Sequence, residues 1–180
     1  NALRKGSDIN VPASVIATLT DDLKVELRFI DGEQRMFLCG EDVSDKIRTP
    51  EVSSAASKTS AVPEVRKFLF DLQKQLAKEN NCIMDGRDIG TVVLPDADVK
   101  IFLTATPEAR AERRYLELKE KGMDVKYEDV LSDMIKRDYD DSHRAIAPLK
   151  QADDAVLADT SGNTLEQSID LIINIIKERI

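Results

Sequence analysis

An α/β fold, with a parallel sheet flanked by helices and an antiparallel hairpin inserted ahead of it, is predicted by three observations. First, short apolar runs at residues 82–84, 99–103 and 155–158 are interleaved, from residue 82 onward, with stretches of helical periodicity. Second, Leu23, Val25, Leu27 and Phe29 alternate with Lys24, Glu26 and Arg28, the period of two of a half-buried strand. Third, Asp31-Gly32 follows that strand directly and is a strong hairpin signal.

In chain order, residues 1–6 read as the last turn of a helix, with Arg4 and Lys5 ahead of a terminating Gly6. The strand around residues 23–29 turns at Asp31-Gly32 and returns over 36–39, and residues 40–46 lead out of the hairpin. Thr49-Pro50-Glu51 supplies an N-cap and a proline at the first helical position, opening a short helix over 51–59. A second helix over 63–78 carries Val65, Phe68, Leu69, Leu72 and Leu76 as one apolar stripe. The apolar run 82–84 is a strand that stops at Asp85-Gly86-Arg87-Asp88, delivering charged groups to the carboxyl end of a strand, where open α/β sheets bind ligands. A strand over 99–103 follows. Thr106-Pro107-Glu108 caps a helix running to Lys121 and stopped by Gly122. The next helix runs from Tyr127 to about Arg144, with Val130, Leu131, Met134 and Ile135 facing inward. Residues 155–158 form a third buried strand, and Thr164 with Gln167 makes a capping box for a last helix packed through Ile169, Ile172, Ile173 and Ile176.

A chain of 180 residues allows one domain, or one domain with a substantial insertion. With 42% hydrophobic and 33% charged residues it can bury a core and remain soluble. No apolar run approaches the roughly 18 residues of a membrane span, and residues 1–5 do not read as a signal peptide. Cys39 and Cys82 sit in apolar stretches without metal-like spacing, which predicts reduced core thiols in a cytoplasmic protein. A net charge of −8 argues against nucleic-acid binding, which requires a basic face. Arginines gathered locally on so acidic a chain suit a compact anionic ligand instead.

Arg137, Asp141 and Arg144 share one face of a helix at i, i+4 and i+7. That spacing serves an anion site, with the carboxylate orienting two guanidiniums, and equally an exposed ion-pair ladder. Arg110, Arg113 and Arg114 form a second cluster, which favours an anion or lies on a solvated helix face beside Glu112 and Glu117. His143, the one histidine, is given no catalytic role.

Asp85-Gly86-Arg87-Asp88-Ile89-Gly90-Thr91-Val92-Val93, Pro95-Asp96-Ala97, Lys100-Ile101-Phe102-Leu103, Arg137-Asp138, Asp141 and Ala147-Pro148-Leu149 together resemble bacterial cytidylate kinase. Ile47-Arg48-Thr49, Ala55-Ala56-Ser57, Pro63-Glu64-Val65-Arg66 and the run from Ala152 to Leu157 are similar to it too, so the resemblance extends in order from about Leu3 to the end of the chain. It implies the fold of P-loop nucleoside monophosphate kinases, with residues 1–80 as the acceptor-binding region carrying the hairpin insertion. Residues 81–180 would then be the rest of the core, with a lid at about 115–145. The implied reaction transfers the γ-phosphoryl of ATP, with Mg²⁺, to CMP or dCMP, giving CDP or dCDP and ADP.

By matching position, the resemblance makes Ser57, Arg66 and Asp88 the readers of cytosine. The chemistry agrees, because a carboxylate accepts from the N4 amino group and a guanidinium fills N3 and O2. Arg137 and Asp141 would hold the sugar hydroxyls, and Arg87 and Arg144 the acceptor phosphate, so that Arg87, Arg137 and Arg144 carry the catalytic charge. Arg110, Arg113 and Arg114 would face ATP from the helix leading into the lid. None of these residues is a metal ligand; Mg²⁺ would come with ATP. Such a site matches phosphoryl transfer, where positioning and charge neutralisation supply most of the catalysis.

One departure stands out: no G-x-x-x-x-G-K-[ST] phosphate loop occurs in these 180 residues. In the family that loop lies near the N-terminus, on a strand between those at Ile83 and Ile101. The resulting expectation is that these residues alone are inactive as a kinase and expose strand edges. The other readings are a non-catalytic CMP-binding module and another nucleoside monophosphate or small-metabolite kinase. The protein is expected to be a cytoplasmic monomer that contacts neither nucleic acid nor membrane.

Overall fold

The computed structural model describes residues 23–60 and 62–180, and the helix end expected at residues 1–6 lies outside them. The chain divides into two compact units, Asn1–Asn80 and Asn81–Ile180.

The first unit is built on the predicted hairpin. β1 (Val25–Ile30) pairs antiparallel with β2 (Glu33–Leu38), Ile30 standing opposite Glu33. That register leaves a two-residue turn, and Asp31 and Gly32 both take positive φ, 54° and 83°, as the hairpin turn matched to strand twist requires. The sequence reading stopped the sheet at Cys39. The chain turns a second time there, with Cys39 at φ 50° and Gly40 at 83°, into the short β3 (Glu41–Asp42), which pairs with β2. Cys39 is therefore an exposed turn residue and not a core thiol. Asp42 secures the strand by accepting hydrogen bonds from the Ser44 amide and hydroxyl and from Arg35, which hold its carboxyl down at about 2.

Thr49 accepts from the Val52 amide and starts α1 (Pro50–Thr59); α2 (Pro63–Glu79) begins, as expected, on a proline. Among the described residues of this unit, Phe37, Val43, Ala55 and Val62 are buried.

The second unit holds the parallel pair. β4 (Ile101–Thr104) and β5 (Val156–Asp159) run side by side with Ile101 opposite Val156. Between them the chain makes α3 (Pro107–Glu120), capped by Thr106, and α4 (Tyr127–His143), a long connection of the kind that parallel strands need. These helices are antiparallel: Tyr115 meets Tyr127 edge-on at 6.1 Å at one end, and Arg110 meets Asp138 at the other. α5 (Leu165–Lys177) starts on the complete Thr164/Gln167 capping box.

Three expectations for this unit fail. Residues 81–85 form no strand, Ile83 is 94% exposed, and Cys82 is exposed as well. A strand is stabilised by its ladder, and among the described residues none pairs with this run. For the same reason β5 is not a buried central strand. Among the described residues its sheet has two members, and Leu103 and Leu157 are each more than half exposed. Finally, Ile135 on α4 and Ile169 and Ile173 on α5 face outward, while Ile175 is buried and Ile172 and Ile176 are half-buried. The packed stripe of α5 is thus rotated by one residue from the one expected.

Candidate functional site

The site in the second unit is made by a tight turn meeting the end of a helix. After the bend at Gly86-Arg87-Asp88 the chain closes a five-residue π-helical turn, Ile89–Val93. The amides of Val92 and Val93 both donate to the Asp88 carbonyl, at 2.9 and 3.2 Å, and Val93 is buried beneath them. A side chain at Gly86 would put its Cβ 2.8 Å from Cγ1 of Ile89, so this bend is drawn as close as only glycine allows. The turn holds Arg87 and Asp88 in place.

Opposite stands the C-terminal half of α4. Asp141 is the buried carboxylate there, 8% exposed. Arg87 Nε donates to its Oδ2 at 2.7 Å, while Arg137 Nε lies 3.9 Å from Oδ2 and Arg144 Nη1 4.0 Å from Oδ1. The expectation that Asp141 sits between Arg137 and Arg144 holds, with Arg87 as the closest partner. Arg144 in turn reaches Asp88 Oδ1 with Nη2 at 3.4 Å and donates Nε to the Ala147 carbonyl at 2.6 Å. Ala147 adopts φ 48°, which folds the segment back so that the Leu149 amide caps the Asp141 carbonyl at 2.8 Å. Three guanidiniums therefore share two carboxylates. Asp88, Asp141 and Arg144 are largely buried, and Arg87 and Arg137 are almost half exposed. Arg87 and Arg137 thus present two reachable guanidinium forks, an arrangement suited to a small anion.

The second arginine cluster is occupied by the protein itself. Arg110 grips Asp138 with both Nη atoms and donates Nε to the Ala105 carbonyl at 3.0 Å. This pair lowers the Asp138 carboxyl, chiefly by hydrogen bonding from Arg110 and further through the charges of Arg87 and Arg137, and it raises Arg110. Arg113 donates to the carbonyl of buried Thr160 and stands 3.4 Å from its hydroxyl, and Arg114 binds Glu117 at 2.7 Å. Sequence reasoning missed Asp138 as a working residue. The signal was available, because 127, 134, 138 and 141 follow helical spacing on the side of α4 that meets α3.

In the first unit, Ser57 on α1 and Arg66 on α2 come to one junction: Ser60 Oγ donates to the Ser57 carbonyl at 2.9 Å, and Arg66 Nη1 reaches the Ser60 carbonyl at 3.4 Å.

The family model described as cytidylate kinase matches residues 2–178. The cytidylate kinase of Caldicellulosiruptor bescii is 48% identical over 160 residues, covering 89% of this chain and 71% of that protein. The cytidylate kinase of Fervidobacterium nodosum is 49% identical over 156 residues, 87% of this chain and 70% of its own. That of Lactobacillus johnsonii is 45% identical over 164 residues, 91% and 71% of the two chains. With such coverage, a parallel strand pair flanked by helices and an antiparallel hairpin ahead of it, the chain belongs to the cytidylate kinase family.

Proposed function

We infer that the protein transfers a phosphoryl group from ATP to CMP or dCMP, giving CDP or dCDP and ADP. Family membership supports this reaction, and the observation that carries the site assignment is the Arg87–Asp141–Arg144–Asp88 network. In this reading Arg87 and Arg144 receive the acceptor phosphate, which carries about −1.5 to −2 charges near neutral pH. Both guanidiniums are held ready by carboxylates, and the dianion takes over part of that pairing. Arg137 and Asp141 hold the sugar hydroxyls. Asp88 accepts from the cytosine N4 amino group. Ser57 and Arg66 are the base-reading residues of the acceptor-binding region, residues 1–80. Residues 115–145 form the lid over ATP, with Arg110, Arg113 and Arg114 on the helix leading into it.

Phosphoryl transfer of this kind asks the protein to align two anions and spread the developing charge, which fixed arginines do without a protein nucleophile. Magnesium accompanies ATP in this reading. Among the described residues no cluster of three His, Cys, Asp or Glu side chains forms a metal cage. No described helix is long and apolar enough to cross a membrane. The reading is tested by titrating the protein with CMP, UMP and AMP in a calorimeter. CMP is expected to bind most tightly, and equal affinity for all three would refute the assignment.

A further inference from the structure

We propose that Asp138, gripped by Arg110, is a positioning residue: the pair anchors the last turns of α4 to the end of β4 and thereby sets where Arg137 and Asp141 stand. The inference rests on the reading of the Arg87–Asp141–Arg144 network as the acceptor site.

Arg110 commits all three of its nitrogens. Nε goes to Ala105, a buried residue directly after β4, and the two Nη atoms close a fork-to-fork pair on Asp138. A planar guanidinium bound bidentately fixes orientation as well as distance. Asp138 is therefore tied, through one rigid group, to the carboxyl end of a strand. It stands directly after Arg137 and three residues before Asp141, within a single helical turn. The turn is stapled further where Ser142 Oγ donates to the Asp138 carbonyl at 2.6 Å. At the far end of the helix pair Tyr115 meets Tyr127 edge-on, while the Arg110–Asp138 fork fixes the helix where the site residues are. The positive charges of Arg87 and Arg137, acting on the Asp138 carboxyl, place it in the same electrostatic neighbourhood. Arg110 as a ligand of the triphosphate would have to abandon this pair, and the proposal assigns it to the scaffold instead.

The arginine Nε–H resonances of the ¹⁵N-labelled 180-residue protein report on each guanidinium separately. Asp138→Asn puts an amide NH₂ against Arg110 and breaks the fork while keeping the shape. It should shift the Arg110 resonance and also those of Arg87 and Arg144, and weaken CMP binding on the order of 10- to 100-fold. Arg110→Lys keeps the charge but not the fork, and should likewise shift the Arg87 and Arg144 resonances and weaken CMP binding, with a smaller disturbance of folding. Asp138→Glu, which retains a carboxylate, should recover part of the affinity. If the Arg87 and Arg144 signals stay in place in either variant, or CMP binds either as tightly as the parent, the pair is a plain helix tether and the proposal falls. If the Arg87 and Arg144 signals move but the parent protein does not bind CMP, positioning stands and the acceptor assignment fails.

Discussion

Replacing Asp141 by alanine removes the carboxylate around which Arg87, Arg137 and Arg144 are arranged at 2.7, 3.9 and 4.0 Å. Deleting one partner of a fully buried ion pair costs about 3–5 kcal/mol. That figure is too high here, because the side chains of Arg87 and Arg137 are 40% and 48% exposed and water takes over much of their charge. Arg144, at 15%, is the buried one, yet it keeps Asp88 and the Ala147 carbonyl. The expected loss of stability is therefore about 1–2 kcal/mol, or roughly 2–8 °C in Tm for a chain of this size. Binding should suffer more. Hydrogen bonds to a charged acceptor are worth about 1.5–3 kcal/mol, so CMP and dCMP affinity should fall on the order of 10- to 150-fold. Calorimetric titration alongside a thermal melt separates the two effects. A variant that melts far below this range yet binds CMP within twofold of the parent would show that Asp141 is a structural ladder and refute the reasoning.

Asp88→Ala should lower the preference for CMP over UMP by about 5- to 150-fold, since uracil offers Asp88 a carbonyl where cytosine offers an amino donor; competitive titration of the two nucleotides measures the ratio. The acid limb of unfolding should depend on Asp138. Its carboxyl lies below the ordinary value of 3.8, so the pair's contribution is present above that pH and lost as pH falls through the lower folded value; Asp138→Asn should flatten the stability curve in that window, as read by urea melts from pH 5 to 2. Thr164→Ala removes the cap of α5 and should cost about 1 kcal/mol in thermal denaturation without altering CMP affinity.

The parts of the fold legible in the sequence are those that local chemistry decides. Thr49, Thr106 and the Thr164/Gln167 box place helix starts because a hydroxyl must answer orphan amides within three residues. Asp31-Gly32 fixes the hairpin because its backbone must take positive φ twice. Cys39-Gly40 makes the same demand and went unread, since cysteine is an unusual left-handed residue and its apolar character suggested a core position. What was not legible depends on partners distant in sequence. The run at 82–84 has the composition of a strand but, among the described residues, no ladder, and Ile135, Ile169 and Ile173 satisfy a helical stripe yet stand exposed. In the site, the spacing of Arg137, Asp141 and Arg144 was readable because it lies on one helix, whereas Arg87 as the tightest partner of Asp141 lies 54 residues away.

The two arginine clusters looked alike in sequence, and their partners separate them. In the second cluster Arg110 and Arg113 meet a carboxylate and a carbonyl of neighbouring elements, Asp138 and Thr160, while Arg114 pairs with Glu117 on its own helix. In the first cluster three guanidiniums divide two carboxylates, and two of the three are almost half open to solvent. Like charges gathered this closely favour an anion, and in the proposed reading the acceptor phosphate meets guanidiniums that Asp88 and Asp141 already orient. The acids that hold the arginines in the absence of nucleotide are, in the proposed reading, those that meet the base and the sugar when it arrives, so preorganisation and recognition rest on the same two side chains.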